Sequence, residues 1–454
     1  MKLPAPPPPM HELPDELSKD PLPFLKLILE NPQSATRDYL PWDKIRYKTP
    51  PTGLTHRQWW YALKMARSVM RRVLPLLDSG GRKFSYVLPD KVLRMTEEIS
   101  RRAGGQIAMA EQVTNPATRD RYIVSSLIEE AITSSQLEGA NTTRQVAKDM
   151  IRSGRSPRNK SEQMILNNYL AMRFVGEHRN RELTPELVCE IHRVVTIDTL
   201  QDPEQAGRLQ SDPDPAARVA VYGDPNQVIH RPPPVETLPG RLETLCRFAN
   251  GASDSAYIPP ILRAITLHFM LGYDHYFEDG NGRTARALFY WSMLREGYWL
   301  TEFLTISKIL KKAPAQYARS FILTEQDDGD LTHFFIYHLN IVRRALDELD
   351  SYLARKVREL RETRLLLAAT PGEYNHRQLA LLELALKDPS SHFTVLSHST
   401  SHNVSPETAR QDLTNLAERG LVERGKEGRK FVWFPAEQLA ERIASGRGPA
   451  TTGG

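Results

Sequence analysis

Apolar side chains recur at helical spacing along most of the chain. Trp59, Leu63, Ala66 and Met70 follow one another at intervals of four, three and four residues, which is typical of the buried face of a helix. Similar patterns dominate from residue 118 to about residue 363. We therefore predict a mainly α fold, in which a small helical domain over residues 17–110 precedes a larger helical core.

One short stretch of the core departs from the helical pattern. Val219, Val221, Val228 and His230 alternate with other residues around the turn-forming tetrapeptide Gly223–Asn226. Alternation about such a turn predicts a small β-hairpin. Prolines at positions 232–234 end its second strand, because proline cannot donate to a strand ladder.

The pattern changes again after residue 370. Apolar faces at residues 379–386 and 395–401 predict two helices, and Ser405 with Pro406 predicts the start of a third. Two extended segments, LVER and KFVWF, follow over residues 421–434. This order of elements indicates a winged helix-turn-helix over residues 371–438.

Composition narrows the class of protein. Apolar residues make up 40% of the 454 positions and charged residues 25%, which excludes collagens, fully disordered chains and multi-span membrane proteins. Two cysteines form no disulfide framework, and the start of the chain lacks the apolar segment of a secretory signal. We therefore expect a cytoplasmic protein with no membrane partner. The net charge of 60 − 55 = +5 permits contact with polyanions without requiring it.

The sharpest chemical signal is the segment HYFEDGNGRTAR, residues 275–286. It follows an apolar helix and leads into a second helix that opens near Asn281 or Gly282. Glycines at a helix start let backbone N–H groups approach a ligand, and the positive end of the helix dipole favours phosphate oxygens. Arg283 and Arg286 are three residues apart and share one helix face, which suits further phosphates.

The same segment carries groups suited to metal binding and proton transfer. Glu278 and Asp279 are its carboxylates, and either can hold Mg²⁺, with Asp279 nearer the glycines. His275 titrates near neutral pH when unperturbed and is suited to take a proton from an attacking hydroxyl. The combination predicts a site for nucleotidyl or phosphoryl transfer.

This segment resembles the Fic family signature, HxFx(D/E)GNGRxxR. The matching residues are His275, Phe277, Asp279, Gly280, Asn281, Gly282, Arg283 and Arg286. Tyr276 stands where the family usually has proline, a departure that affects the shape of the loop and no reacting group. The resemblance extends over about residues 118–350, and the predicted hairpin looks like the family's target-positioning flap.

The resemblance implies transfer of AMP from ATP to a Ser, Thr or Tyr hydroxyl of a target protein, and of the chain itself. By similarity, His275 is the base, Phe277 anchors the loop, and Asp279 binds Mg²⁺, or Mn²⁺ in its place. The phosphate-binding residues implied are Gly280, Asn281 and Gly282 for the α-phosphate and Arg283 and Arg286 for the outer phosphates. On the flap, Tyr222 and His230 are expected to touch target or nucleotide. A homodimer is expected from the resemblance only, and the target is unknown.

A second motif lies upstream. Ser134, Glu138 and Gly139 match the family's inhibitory pattern (S/T)xxxE(G/N) at the end of a predicted helix over about residues 117–139. The resemblance implies that Glu138 pairs with Arg286 and holds it away from the γ-phosphate. In some relatives this glutamate also supports AMP removal, and the sequence does not decide whether it does so here.

The winged helix raises a second class of function. Ser405, Thr408, Arg410 and Gln411 would reach base edges if their helix entered a DNA groove. Acidic and basic residues are balanced from residue 371 onward, and phosphate neutralisation supplies most non-specific DNA affinity, so protein contacts or dimerisation remain the alternative use. The alternative function is a nucleotide-sensing, DNA-binding transcriptional regulator with vestigial transfer activity.

The predicted organisation follows from these segments. A disordered proline-rich tail (1–16) and the helical N-terminal domain (17–110) precede the catalytic core (111–350). A linker helix (351–370), the winged helix (371–438) and a disordered tail (439–454) follow it.

Overall fold

The computed structural model describes residues 3–17, 21–30, 37–104, 116–212, 214, 221–222, 228–252, 257–368, 374–387, 391–427 and 430–445. The chain forms two compact units, Met1–Leu349 and Asp350–Gly454.

Helices make up most of the first unit. They are α1 (Leu13–Leu17), α2 (Leu22–Glu30), α3 (Trp42–Ile45), α4 (His56–Val69), α5 (Asp90–Gly104), α6 (Pro116–Leu137), α7 (Arg144–Ser153), α8 (Lys160–Glu177), α9 (Pro185–Thr196), α10 (Leu238–Ala249), α11 (Pro260–Asp274), α12 (Asn281–Arg295), α13 (Ile306–Lys312), α14 (Pro314–Gln326) and α15 (Thr332–Ala368), which runs on past Leu349. Short 3₁₀ turns lie at Met10–Glu12, Pro203–Gln205, Val235–Thr237 and Trp299–Phe303.

Strands occur as antiparallel pairs. In the first unit β1 (Arg72–Leu77) pairs with β2 (Lys83–Tyr86), and β3 (Val221–Tyr222) pairs with β4 (Val228–His230). The second unit holds β5 (Val422–Glu427) and β6 (Lys430–Pro435), in register from Val422 opposite Pro435 to Glu427 opposite Lys430. The prediction of a mainly α fold with a small hairpin in the core is confirmed.

The first hairpin is an element that the helical reading of residues 17–110 did not include. Leu74 and Leu76 point inward from β1, and this two-residue period is too short to stand out between helices. The Asp78 side chain accepts from the backbone N–H groups of Gly80 and Arg82, 2.8 Å each, and so forms the turn. The hairpin places the carbonyls of Leu77 and Asp78 beside α10.

Both predicted tails differ from expectation where the structure describes them. The Ala5 N–H donates to Asp43 at 2.8 Å, and the carbonyl of Pro9 accepts from Tyr61 at 3.0 Å. A proline-rich segment leaves its carbonyls without helical partners, so side chains of the core can bind them. At the other end, α19 (Leu439–Ser445) buries Leu439 and Ile443 in the second unit.

The site region is centred on α11 and α12, which are buried almost all round. Apolar residues occupy most positions of α11, and its side chains from Ile261 to Leu271 are nearly all inaccessible. A helix that is apolar on every face belongs inside a core. These two helices hold the segment that joins them, residues 275–280, at a fixed place in the fold.

The second unit is a small domain with its own core. Its helices are α16 (His376–Lys387), α17 (Val395–His402), α18 (Pro406–Glu418) and α19. Leu382, Leu413, Leu416 and Trp433 are among the residues that form the core. The order of elements confirms the predicted winged helix-turn-helix.

No helix in the ranges given above combines the length and the apolar character needed to cross a membrane.

A buried polar cluster joins α4 to the α14–α15 junction. Asp327, Asp330 and His333 offer metal-type ligand atoms within 4.8 Å of one another. The Lys64 ammonium supplies the positive charge instead, 2.5 Å from Asp327 Oδ1, while His333 Nε2 lies 2.8 Å from Asp327 Oδ2. The cluster is therefore an ion-pair network. Burial raises the pKa of Asp327, but the His333 hydrogen bond and the Lys64 charge outweigh it and leave that pKa lowered.

We expect Lys64→Met to lower the free energy of unfolding by about 3 kcal/mol, because it leaves Asp327 buried without its cation. Urea denaturation measures the loss, and Lys91→Met, on the exposed face of α5, is the control. Because the folded-state pKa of Asp327 is lowered, its contribution is complete above the ordinary aspartate pKa near 4 and declines as the pH falls below it. Equal losses in both variants would contradict the assignment.

Candidate active site

His275 lies at the turn where α11 ends. Its N–H still bonds to the Leu271 carbonyl at 3.3 Å, as in the helix. Its φ of +49° is left-handed, and this backbone conformation ends the helix. Its ring is half-buried, and Nδ1 lies 2.9 Å from the carbonyl of Gly272. A carbonyl only accepts, so Nδ1 carries the proton, and the neutral ring has its basic lone pair on Nε2. This is the tautomer that a general base acting through Nε2 requires.

Asn281 closes the loop from its far end. Its Oδ1 accepts from the Phe277 N–H at 3.0 Å, and its Nδ2 donates to the Phe277 carbonyl at 2.6 Å. The Phe277 ring is fully buried. The asparagine thus holds both backbone groups of the residue that anchors the loop in the core.

Gln210 is a residue of the site that sequence reasoning missed. Its side-chain amide donates to the carbonyls of His275, at 3.0 Å, and Phe277, at 2.6 Å, and its backbone N–H donates to the Tyr276 carbonyl at 2.9 Å. It lies in a polar segment that breaks the helical pattern, where a single glutamine carries no signal.

His192, from α9, was missed as well. Its ring stacks on Phe277, with centroids 3.7 Å apart and planes 4° apart. The Gly207 N–H donates to Nδ1 at 2.9 Å, so Nε2 carries the proton and donates to the Asp279 carbonyl at 2.8 Å. Burial lowers the pKa of His192 to about 4, which keeps the ring neutral. The sequence signal for His192 was a polar residue among the apolar, buried positions of α9.

Arg283 begins the arginine pair on α12. Its side chain is inaccessible and donates to the Val195 carbonyl at 3.0 Å, while another terminal nitrogen lies 3.6 Å from Asp279 Oδ1. Its Nε is buried with no hydrogen-bond partner among the described residues. Burial lowers the pKa of Arg283. Asp279 is half exposed and Glu278 exposed at the mouth of the loop.

Arg286 is held by one face of α6. Glu130 and Ser134 of α6, and Glu138 directly after its last residue, are four residues apart and so lie on the same side. The Arg286 Nε donates to Ser134 Oγ at 2.8 Å, and a terminal nitrogen donates to the Ser134 carbonyl at 3.0 Å and to Glu138 Oε1 at 2.8 Å. Burial lowers the pKa of Arg286, but the charge and hydrogen bond of Glu138, together with Tyr317 and Glu130, outweigh it and leave the pKa raised.

The Glu138 carboxylate also lies over the start of α12. A methyl group placed on Gly282 would collide with Glu138 Oε1 and lie 3.2 Å from an Arg286 nitrogen. Gly139, with φ +90°, lets the chain turn away after α6. An acidic side chain therefore occupies the space where a helix N-terminus and two guanidinium groups favour an anion.

One of the two hairpin residues, His230, differs from expectation. His230 was expected on a target-facing flap, but its ring is buried, with Nε2 2.6 Å from the Tyr273 carbonyl and Nδ1 2.8 Å from Glu325 Oε2. It ties the hairpin to the last turn of α11. Of Tyr222 the structure describes the backbone, paired with Val228, and the turn at 223–227 lies outside the described residues.

The residues expected to face DNA lie at the start of α18. Ser405 Oγ accepts from the Thr408 N–H at 3.1 Å and so caps the helix, and it lies 2.9 Å from the Thr408 hydroxyl. Arg410 and Gln411 are exposed, and Arg410 lies 3.4 Å from Glu407.

Gly280 has a left-handed backbone and lies close to the side chain of Thr196. Its φ is +84°, and a methyl group there would lie 2.7 Å from Thr196 Cγ2. We expect Gly280→Ala to lower the free energy of unfolding by about 2 kcal/mol, of which the left-handed backbone accounts for roughly 1–2 kcal/mol. Urea denaturation measures the change.

Two further variants separate strain from collision. Gly81→Ala, at φ +80° with nothing within 4 Å, reports backbone strain alone. Thr196→Ser removes the colliding methyl but keeps the hydroxyl that donates to the His192 carbonyl, so it should recover part of the loss when combined with Gly280→Ala. A loss at Gly280 no larger than at Gly81 would contradict the close fit.

Comparisons with known proteins bear on the same region. Residues 182–293 match the Fic/DOC family model, and residues 377–432 match the model of a DeoR-like helix-turn-helix domain. The chain is similar to protein adenylyltransferase fic-1 of Caenorhabditis elegans, 29% identical over 186 residues, 40% of this chain and 33% of that protein. It is also similar to protein adenylyltransferase Fic of Drosophila ananassae, 30% identical over 136 residues, 30% of this chain and 24% of that protein.

The chain thus matches a third or less of the length of these relatives. Among solved structures, a Fic family protein from Desulfovibrio desulfuricans G20 superposes with a TM-score of 0.51 at 16% identity, over 78% of this chain and 98% of that one. At this identity the likeness shows the fold. Residues 182–293 of this chain are a Fic/DOC family domain within a mainly α fold, and residues 377–432 are a DeoR-like helix-turn-helix domain.

Proposed function

We propose that this protein transfers AMP from ATP to a hydroxyl group of a target protein and of itself. The observation that carries the proposal is the arrangement of the 275–286 segment: a half-buried imidazole with its lone pair on Nε2 precedes a glycine-rich helix start and two buried guanidinium groups. The similarity of this region to proteins named adenylyltransferases supports ATP as the substrate.

The phosphate groups have suitable donors. The α-phosphate would bind at the backbone N–H groups of Gly280, Asn281 and Gly282, where the helix dipole favours negative charge. Arg283 and Arg286 would bind the outer phosphates, and the buried Arg283 Nε, which has no hydrogen-bond partner in the described part of the chain, supports this role.

The donor set also fits a divalent cation. Asp279 offers a half-exposed carboxylate beside the proposed phosphate site, and Mg²⁺ is commonly bound by one or two carboxylates together with substrate phosphates. Asp279 would hold Mg²⁺, or Mn²⁺, whose bound charge would offset that of the phosphates.

The transfer itself needs one proton acceptor. The target hydroxyl oxygen forms a bond to the α-phosphorus, the bond from that phosphorus to the oxygen of the leaving pyrophosphate breaks, and the hydroxyl proton passes to His275 Nε2. The hydrogen bond from Nδ1 to the Gly272 carbonyl leaves the lone pair on Nε2, which is the tautomer that this step requires. The β3–β4 hairpin would align the target as an added strand, a recognition mode that depends on main-chain hydrogen bonds.

We further propose that Glu138 inhibits this reaction. Its carboxylate bonds to Arg286 at 2.8 Å and overlies Gly282, so productive ATP binding requires Glu138 to leave. A net cost of about 1.4 kcal/mol lowers productive binding tenfold. Support of AMP removal by the same carboxylate is not part of this proposal.

Glu138→Gly is therefore expected to raise AMP incorporation at least tenfold, including self-labelling, in an assay with labelled ATP and Mg²⁺. Glu138→Gln keeps the shape but removes the charge and should give an intermediate rate. Adding His275→Ala to Glu138→Gly should abolish labelling. Equal labelling of wild type and Glu138→Gly would overturn the inhibition, and labelling that survives His275→Ala would overturn the catalytic assignment.

DNA binding is a second candidate function, favoured by the DeoR-like helix-turn-helix match and the exposed Arg410 and Gln411 on α18. In this alternative the protein is a nucleotide-sensing transcriptional regulator whose transfer activity is vestigial. His275→Ala separates the two, because it removes transfer and leaves DNA binding intact.

We expect the full chain to shift a labelled duplex at low salt and Arg410→Ala to weaken that shift several-fold. The loss follows from removal of one exposed cation near the duplex, and affinity should fall as salt rises. Arg94→Ala, which removes an exposed arginine on α5, is the control. No shift at low salt, or equal loss in both variants, would contradict this second function.

A further inference from the structure

Tyr276 occupies the signature position where proline is usual, and its hydroxyl has a defined partner. It donates to Asp274 Oδ2 at 2.6 Å, and both side chains are inaccessible. Asp274 and Tyr276 are the immediate neighbours of His275. The hydrogen bond therefore spans His275 and closes the chain around it.

Asp274 is itself held from the other side. Arg241 of α10 donates to Asp274 Oδ1 through Nε at 3.0 Å and through a terminal nitrogen at 2.6 Å. The same guanidinium donates to the carbonyl of Leu77, and to that of Asp78 at 3.3 Å. A buried carboxylate flanked by an arginine fork and a tyrosine hydroxyl has little freedom to move.

His275 needs such support because of its backbone. A non-glycine residue in the left-handed region is strained, so the φ of +49° at His275 persists only where the surroundings enforce it. A proline would stiffen the chain by fixing its own φ. Tyrosine has no such constraint, and its side chain supplies a tether in place of the ring.

We propose that Tyr276, acting through Asp274 and Arg241, positions the His275 imidazole for proton transfer. Tyr276 is a positioning residue and touches no reacting atom. The inference rests on the proposed function of His275 as base, and it names the first hairpin, which lies outside the matched residues 182–293, as part of the support through Leu77 and Asp78.

The kinetic test uses Tyr276→Phe in the Glu138→Gly background, because it removes one hydroxyl and keeps the ring. We expect kcat for AMP transfer to fall about tenfold while KM for ATP changes less than twofold, since the phosphate-binding groups are untouched. Tyr298→Phe, which removes the buried hydroxyl that bonds to Ser100 at 2.9 Å, is the matched control and should keep kcat. Both are assayed well below their unfolding temperatures.

A second measurement does not depend on activity. In protein labelled with ¹⁵N-histidine, with the His275 signals assigned by His275→Ala, wild type should show Nδ1 protonated in the neutral ring. Tyr276→Phe should shift the tautomer ratio towards Nε2–H or broaden the signals, and Tyr298→Phe should not. An unchanged ratio in Tyr276→Phe, or a kcat equal to that of Tyr298→Phe, would overturn the inference. Absence of transfer in Glu138→Gly would instead refute the proposed function, and the tautomer ratio would still decide the inference.

Discussion

The site depends on the hydrogen bonding of a few backbone carbonyls in the turn between α11 and α12. A short loop inside a core must satisfy its polar backbone groups or lose stability. The carbonyls of residues 275, 276 and 277 accept from Gln210, that of 277 also from Asn281, and that of 279 from His192. Because these donors come from α9, from the segment after it and from α12, the loop has one shape only when the surrounding fold is complete.

Charged side chains surround Arg286 beside this loop. Glu130, Ser134 and Glu138 follow one another at a four-residue spacing along and just beyond α6. Ser134 and Glu138 accept hydrogen bonds from the Arg286 guanidinium, and the Glu130 charge lies near it. The Glu130 carboxyl, buried behind it, bonds to Ser307, and burial raises its pKa. Glu138, which follows the last residue of α6, is the most exposed of the three. Arg286 therefore has one buried contact, with Ser134, and one partly exposed contact, with Glu138.

The sequence predicted most of what lies within single segments. The 275–286 segment, the end of α6 and the start of α18 were found because their residues are adjacent or one helical turn apart. Gln210 and His192 were missed because their partners are 65 to 87 positions away, a distance that residue spacing does not reveal. The β1–β2 hairpin was missed because its alternation is brief, and His230 was misplaced because the sequence does not show which side of the hairpin faces the core.

With Tyr276 in the proposed role, the functional unit extends from residues 182–293 to the first hairpin through Asp274 and Arg241. A fragment trimmed to residues 182–293 would keep the entire signature, yet Arg241 would lose the Leu77 and Asp78 carbonyls that fix its far side. Substitutions in the hairpin that move these carbonyls would then change the rate of proton transfer at His275, through Arg241 and Asp274.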